Sequence, residues 1–524
     1  MELGSTPVFR SGLMADSLEC RAMERVEPVD PADEAIGPIE PLDAGEVDTW
    51  HDEADVVVVG LGCAGACAAI EAADAGASVL ILERAGAGGG TSAMAGGILY
   101  LGGGTPIQEA CGFEDTPDNM FAFLMAACGP GVDEAKARIY CDESVAHYHW
   151  LVDHGVPFKA EYYPEHDREP PTDAGLIFTG GENAAPFDRI AHPAPRGHHP
   201  QYPDAAGGFL MERLLAAVDA ADPTVRIDTR VDRLVVDGET VVGVLVREAG
   251  EERAIRADRG VVLTAGGFTF NRQMLRHHCR PATRCLVPVG TDNDDGSAIR
   301  MGMGVGAATR AMGVAECALP IMPPRTLARG LLIDGEGERF LNEDTYTGRI
   351  GQHALYEAEG QAFWLVDEAL YEAIDGQNVV GMRVEWVAET VDGLAGEIGV
   401  PPEALARTVE RYNRFVDDRT DADFGKAAEF LVPMRPPLGA IDLRVDHAIY
   451  APFTLGGLDT DVDGRVIHGD GSPIPSLFAA GRTTAGLAVG GYASGISLGD
   501  GTYFGRRAGR AAATRTNFGQ IPHT

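Results

Sequence analysis

Lysine is nearly missing from this chain: Lys136, Lys159 and Lys426 are the only three in 524 residues. Arginine carries the rest of the positive charge, and 42 basic residues face 79 acidic ones, a formal net charge of −37. Phosphate backbones and anionic headgroups are held by lysine and arginine, so this balance excludes nucleic acid and anionic membrane surfaces as partners. No run approaches the ~20 apolar residues that cross a bilayer, so no integral membrane segment is expected. The first fifty residues lack the charged-then-apolar pattern of a secretory leader. The nine cysteines are odd in number and contain no C-x-x-C pair. They read as small buried hydrophobes in a reducing compartment. These absences predict a cytoplasmic protein.

What is present points to a large buried interior. Hydrophobic residues make up 45% and charged residues 23%, which fits a globular chain of two or more domains. Residues 1–53 are rich in Pro, Asp and Glu without hydrophobic periodicity and read as an acidic arm. The texture changes at ADVVVVG, an apolar β-branched run typical of a buried parallel strand. Residues 226–268 alternate strand-like runs with DG and AG turns. Residues 273–440 lean towards helices, and Pro401–Pro402 fits a helix start. After 440 short strands and glycine-rich turns return. The expected organisation is therefore an α/β nucleotide domain, 54–272 and 441–524, interrupted by a substrate domain over 273–440.

The run DVVVVGLGCAGACAAIEAADAGASVLILE places Gly60, Gly62 and Gly65 in G-x-G-x-x-G spacing. The first glycine permits a tight turn, the second lets backbone approach a pyrophosphate, and the third lets helix pack closely on strand. The helix that follows points free N–H groups and its positive dipole at the phosphates. Glu83 ends the next strand 23 residues after Gly60, where an acid accepts from a ribose hydroxyl. Next comes GAGGGTSAMAGGILYLGGG, residues 86–104, whose Thr91 and Ser92 could wrap a second part of the cofactor. Met94, Ile98 and Leu99 suggest that this loop is packed. LTAGGF, with Ala265 and Gly266, and LFAAGR, with Gly481 and Arg482, are further strand-to-turn passages, and their repetition around one ligand points to FAD.

Taken together, VGLGCAG, ERAG, GGGTSAMAGG, TAGGF, GERFLNEDTY, FTLGG, LFAAGR and GGYASGISLGDGTYFGRRAG resemble the fumarate reductase/3-ketosteroid dehydrogenase flavoproteins over residues 50–510. The resemblance implies a Rossmann-like FAD-binding domain of the GR2 type with an inserted α+β cap domain. It is greatest to the 3-ketosteroid Δ4-(5α)-dehydrogenases, which oxidise saturated 3-ketosteroids to 4-ene-3-ketones with non-covalent FAD. Two departures from the fumarate-reducing branch are informative. Its His-Thr-x-Gly-Gly histidine is replaced by Phe453, and its C-terminal arginine falls on Tyr492. Such a site cannot clamp two carboxylates and suits a ketone on a large hydrocarbon. Gly90 stands where succinate dehydrogenases carry the histidine that bonds FAD covalently.

The resemblance further implies cofactor contacts at Arg84, Gly96, Gly97, Val231, Ser497 and Leu498, and a catalytic set of Tyr346, Tyr492 and Ser494. Tyr492 and Ser494, two apart in an extended stretch, share one face. Tyr492 is expected to donate to the C3 carbonyl, and a Ser494–Tyr346 relay to take the C4 proton while hydride passes from C5 to flavin N5. The same site could serve a related flavin enoate or ketosteroid reductase, or a Δ1-dehydrogenase acting on another bulky apolar ketone. The electron acceptor is not indicated. His154, His198 and His199 read as loop or surface histidines and no metal is expected. Asp294, Asp295 and Asp500 read as turn and cap residues, with Asp500 also able to brace the flavin loop, and Arg506 and Arg507 as structural.

Overall fold

Apolar, β-branched stretches lie side by side as parallel strands: Val79–Leu82, Trp50–Val59, the second half of Glu251–Leu263, and Pro473–Ala479. Thr224–Arg226 adds another beyond Val79–Leu82. Both faces of this sheet are covered, and Val56, Val57 and Val58 are fully buried, as an uninterrupted apolar strand requires. The computed structural model describes residues 36–165, 169–319, 325–374 and 383–515.

Glu251–Leu263 is shared between two patterns. Its first half pairs antiparallel with Thr240–Glu248, which pairs with Thr229–Asp237, forming the meander expected from the sequence. Ala249 and Gly250 turn one hairpin with both residues at positive φ, the primed-turn conformation that matches strand twist. Trp50–Glu53 pairs with Ala254–Arg256, so the first strand begins inside the stretch read as an arm. Upstream, Leu42–Asp43 pairs with Val235–Val236, while Arg233 donates to the carbonyls of Glu40 and Pro41. Residues 36–53 are thus tied to the sheet; the remainder of the expected arm, 1–35, lies outside the described residues.

The central part of the chain contains a four-stranded antiparallel sheet in the order Leu331–Asp334, Ala362–Asp367, Leu438–Asp442, Val384–Ala388. Helices Val391–Ile398 and Pro402–Asp418 contribute Leu394, Ala395, Leu405 and Tyr412 to the core formed with this sheet. Pro402 occupies the first helical position, where a missing N–H costs nothing. The expected division at 440/441 falls inside the strand Leu438–Asp442. Two ribbons join this part to the cofactor side: Thr309–Arg310 with Gly457–Leu458, and Ala315–Ala318 with Ala451–Thr454.

Candidate active site

The carboxyl ends of the parallel strands deliver the glycine-rich turns to one cavity, the place where open α/β sheets bind ligands. Gly60 and Gly62 follow the first strand, Glu83 and Arg84 the second, Ala265 and Gly266 the third, Gly481 and Arg482 the fourth, and all line the cavity. Thr91, Ser92, Gly96, Gly97, Val231, Ser497 and Leu498 line it as well. Gly65 does not. A Cβ there would drive into the Gly60 carbonyl oxygen, so this glycine sets the closeness of helix Cys63–Asp74 to the strand.

Several features of the walls fit FAD. Helix Cys63–Asp74 begins at Gly62 without a side-chain cap, leaving its dipole directed at the cavity. Glu83 accepts from the N–H groups of Leu61 and Ala85, each at 2.8 Å, which fixes the carboxylate beside the glycine turn. Its oxygens keep further lone pairs for a ribose hydroxyl. Ser92 Oγ accepts from Cys63 N–H at 3.2 Å, holding the second loop against the helix start. Arg84 pairs with Asp295 at 2.6 Å and Arg482 with Asp294 at 2.5 Å. Asp294 Oδ1 and Asn183 Oδ1 are buried without a partner in residues that line the cavity, vacancies that a polar ligand can satisfy.

The tyrosines gather at the same cavity. Tyr346 is the N-cap residue of helix Thr347–Tyr356, and Tyr492 and Ser494 lie just before helix Ile496–Ala513. All three line the cavity, with Phe453. The Phe453 and Tyr492 rings meet edge to face at 5.4 Å. Ser497 N–H donates to Tyr492 Oη at 3.3 Å, so this amide serves the tyrosine. Ser494 is held through its backbone: its N–H donates to the Thr179 carbonyl at 3.3 Å, and its carbonyl accepts from Thr179 Oγ1 at 3.0 Å. Its side chain stands beside Tyr346 and opposes the rise that burial gives the Tyr346 phenol. Burial pushes both tyrosines above the ordinary phenol range.

Behind Tyr346 stands Glu316, which the sequence reading passed over. Tyr346 Oη donates to Glu316 Oε1 at 3.4 Å, and Glu316 is fully buried. Burial raises its carboxyl to about 8, with the Tyr346 hydrogen bond opposing the shift. The only sequence signal was a charged residue inside an apolar run, VAECALP.

Other expectations are corrected. His198 and His199 are buried, not superficial; His198 bonds Thr105 and the Arg196 carbonyl, and burial lowers both to about 4. Met94 is 53% exposed, whereas Ile98 and Leu99 of the same loop are buried. Asp500 caps nothing. It lies inside helix Ile496–Ala513, accepts from Leu487 N–H at 3.3 Å and is raised to about 6 by burial. Asp295 does act as a turn residue, accepting from Ser297 N–H at 2.9 Å. Arg506 and Arg507 tie the last helix to Glu71, Asp463 and Glu143.

A family model for the FAD-binding domain matches residues 55–498. The chain belongs to that family of flavoprotein oxidoreductases. Within it, the chain is 46% identical to a 3-ketosteroid Δ4-(5α)-dehydrogenase from Rhodococcus jostii RHA1, solved with 4-androstene-3,17-dione. The match covers 91% of this chain and 100% of that one, with a TM-score of 0.87. It is 28% identical over 514 residues to the 3-oxo-5-alpha-steroid 4-dehydrogenase of Comamonas testosteroni, covering 85% of this chain and 96% of the relative. A flavocytochrome c3 fumarate reductase shares the fold at 24% identity, with a TM-score of 0.61 over 93% of this chain and 84% of that one.

Proposed function

We propose that this chain oxidises a saturated 3-ketosteroid to its 4-ene-3-ketone, with FAD held non-covalently. The observation that carries the reading is the aromatic end of the cavity. Phe453 and Tyr492 face each other there, while the arginines lining the cavity (Arg84, Arg230 and Arg482) are each paired with an aspartate. Among the described residues a dicarboxylate finds no free cation to clamp it, whereas a ketone on a hydrocarbon skeleton needs only a hydrogen-bond donor. The parallel-sheet part of the chain would hold the cofactor, and the central part, through the strand Leu438–Asp442, would supply the cap.

The glycine turns, Glu83, Thr91, Ser92, Val231 and Arg482 would hold FAD, with Gly90 offering no side chain for a covalent bond. When bound, FAD supplies the two-electron oxidation that the protein lacks. The side chains manage the carbonyl and the proton. Ser497 N–H occupies one acceptor site of Tyr492 Oη, leaving the phenolic hydrogen to donate to the substrate oxygen. Negative charge develops on that oxygen as the α proton leaves, which is where a positioned donor lowers the barrier. Phe453 fixes the Tyr492 ring and excludes water. Ser494, with its backbone locked by Thr179, presents its hydroxyl to Tyr346, and this pair receives the C4 proton.

Turnover with a dye acceptor tests the substrate class. A 5α-saturated 3-ketosteroid is expected to yield a conjugated enone, while fumarate is not reduced by dye-reduced protein. Fumarate turnover without steroid oxidation would overturn the reading.

A further inference from the structure

We propose that Glu316 is the proton-holding end of the Ser494–Tyr346 relay, acting through Tyr346 as a positioning residue. The inference rests on the ketone oxidation above, because it names where the substrate proton goes.

The geometry runs from the cavity into the interior through three side chains. Ser494 stands beside Tyr346, Tyr346 Oη donates to Glu316 Oε1, and Glu316 Oε2 is buried with no partner among the described residues. Glu316 lies opposite Phe453 across the Ala315–Ala318/Ala451–Thr454 ribbon, and partners across such a pair share a face. Ala318 and Ala451, the next pair on that face, line the cavity. Room for the carboxylate is made by Gly348, whose missing Cβ would collide with Glu316 Oε1 and the Tyr346 ring.

A buried carboxylate with one hydrogen bond is costly, and structural acids are normally paired. Glu71 and Glu343 in this molecule show the ordinary pattern, each ion-paired to arginine. Glu316 has no arginine, lysine or histidine partner among the described residues. Its titratable neighbours are Tyr346, Tyr492 and its chain neighbour Cys317. A lone acid in contact with the relay tyrosine is poised to exchange a proton near neutrality.

The step balances as follows. The substrate C4–H bond breaks and its proton enters the relay at Ser494 or Tyr346. The Tyr346 phenolic proton passes to Glu316 Oε1, so a carboxylate becomes a carboxylic acid. FAD held in the cavity would take the hydride from the adjacent carbon, and the neutral enone departs. The acid then returns its proton through Tyr346 to the opened cavity. Oxidation therefore needs Glu316 ionised, and the rate of flavin reduction should rise about tenfold per pH unit until Glu316 is ionised near pH 8, then level.

The test compares FAD-loaded wild type, Glu316→Gln and Glu316→Asp. Glu316→Gln should lose the alkaline limb and slow flavin reduction by at least about tenfold at pH 8, as expected for a lost general base. Flavin content and binding of the 4-ene-3-ketone should be unchanged, and Glu316→Asp should restore part of the rate. A Glu316→Gln profile superimposable on wild type would overturn the proposal. A second readout needs no turnover: infrared titration should show a carboxylic acid band that disappears as pH rises through about 8 and is absent in Glu316→Gln. In Tyr346→Phe the same transition should move upward, because an opposing hydrogen bond is gone. A carboxylate already ionised at pH 6 would overturn the proposal even if no steroid reduced the flavin. Failure of wild type to oxidise any ketone, with the infrared transition present and shifted in Tyr346→Phe, would instead count against the substrate reading.

Discussion

Tyr492, Tyr346 and Ser494 carry distinct jobs at the cavity, and their variants should fail distinctly. Tyr492→Phe removes the carbonyl donor and is expected to lower kcat by roughly 10²–10³, the loss seen on deleting one oxyanion donor. Tyr346→Phe and Ser494→Ala interrupt the proton path and should lower kcat by about 10²–10⁴. In all three the visible flavin spectrum and FAD stoichiometry should match wild type; an unchanged kcat would remove that residue from the mechanism. Glu316 has a stability consequence as well. Its folded value of about 8 lies above the ordinary 4.5, so the fold keeps a proton that the unfolded chain releases. The fold therefore loses stability as pH rises from about 4.5 to about 8. Glu316→Gln lacks this penalty and should exceed wild type in denaturant stability by about 2–4 kcal/mol at pH 8, with no advantage at pH 4. Equal stability at both pH values would contradict this. At this scale the sequence was readable where a residue type belongs to a motif, as with Gly60 and Gly62. Glu316 was not, because one acid in an apolar strand acquires meaning only from the tyrosine folded against it.

Among the elements, two helices frame the cofactor cavity and touch along small residues. A Cβ at Gly505 would meet the Ala64 carbonyl, and one at Gly509 the Ala68 carbonyl, so Ile496–Ala513 lies almost backbone to backbone on Cys63–Asp74. Both helices begin at the cavity, and any separation displaces Gly62 and Ser497 together. Gly509→Ala should lower unfolding stability by about 1–3 kcal/mol, the usual cost of overpacking, and weaken FAD retention on gel filtration. Unchanged Tm and FAD content would show that the contact can relax. The elements themselves were largely legible. The first strand, its helix, the three-stranded meander and the start of helix Pro402–Asp418 follow from periodicity and turn residues. The antiparallel sheet of the central part was not located strand by strand. Its strands are four to six residues long and separated in sequence, so their pairing is decided by tertiary contacts rather than local pattern. The Gly505–Gly509 contact escaped notice for the same reason: spacing of four marks a helix face, but not the partner it meets.

Across the whole molecule the charge of −37 is a property no local pairing cancels. Surface ion pairs each contribute about 0–1 kcal/mol, and 79 acids outnumber 42 bases, so much of the acidic surface has no counterpart. Self-repulsion then opposes the compact state. Raising salt from about 10 mM to about 1 M shortens the Debye length from ~30 Å to ~3 Å, and Tm should rise by several degrees. A fall in Tm would mean that the surface pairs outweigh the repulsion. The division of labour between a parallel-sheet half and an interrupting half was visible in the bookended glycine-rich texture. Its seam was not, because Leu438–Asp442 joins the central sheet through long-range pairing with Ala362–Asp367 and Val384–Ala388.

In the proposed reaction this cavity transfers hydrogen from a saturated 3-ketosteroid to FAD. Anaerobic mixing of FAD-loaded protein with a 5α-saturated 3-ketosteroid, followed by flavin absorbance and location of the product's double bond, tests it directly. Bleaching of the oxidised flavin in step with formation of a 4,5 double bond is expected. No bleaching, in protein whose flavin dithionite still reduces, would contradict it.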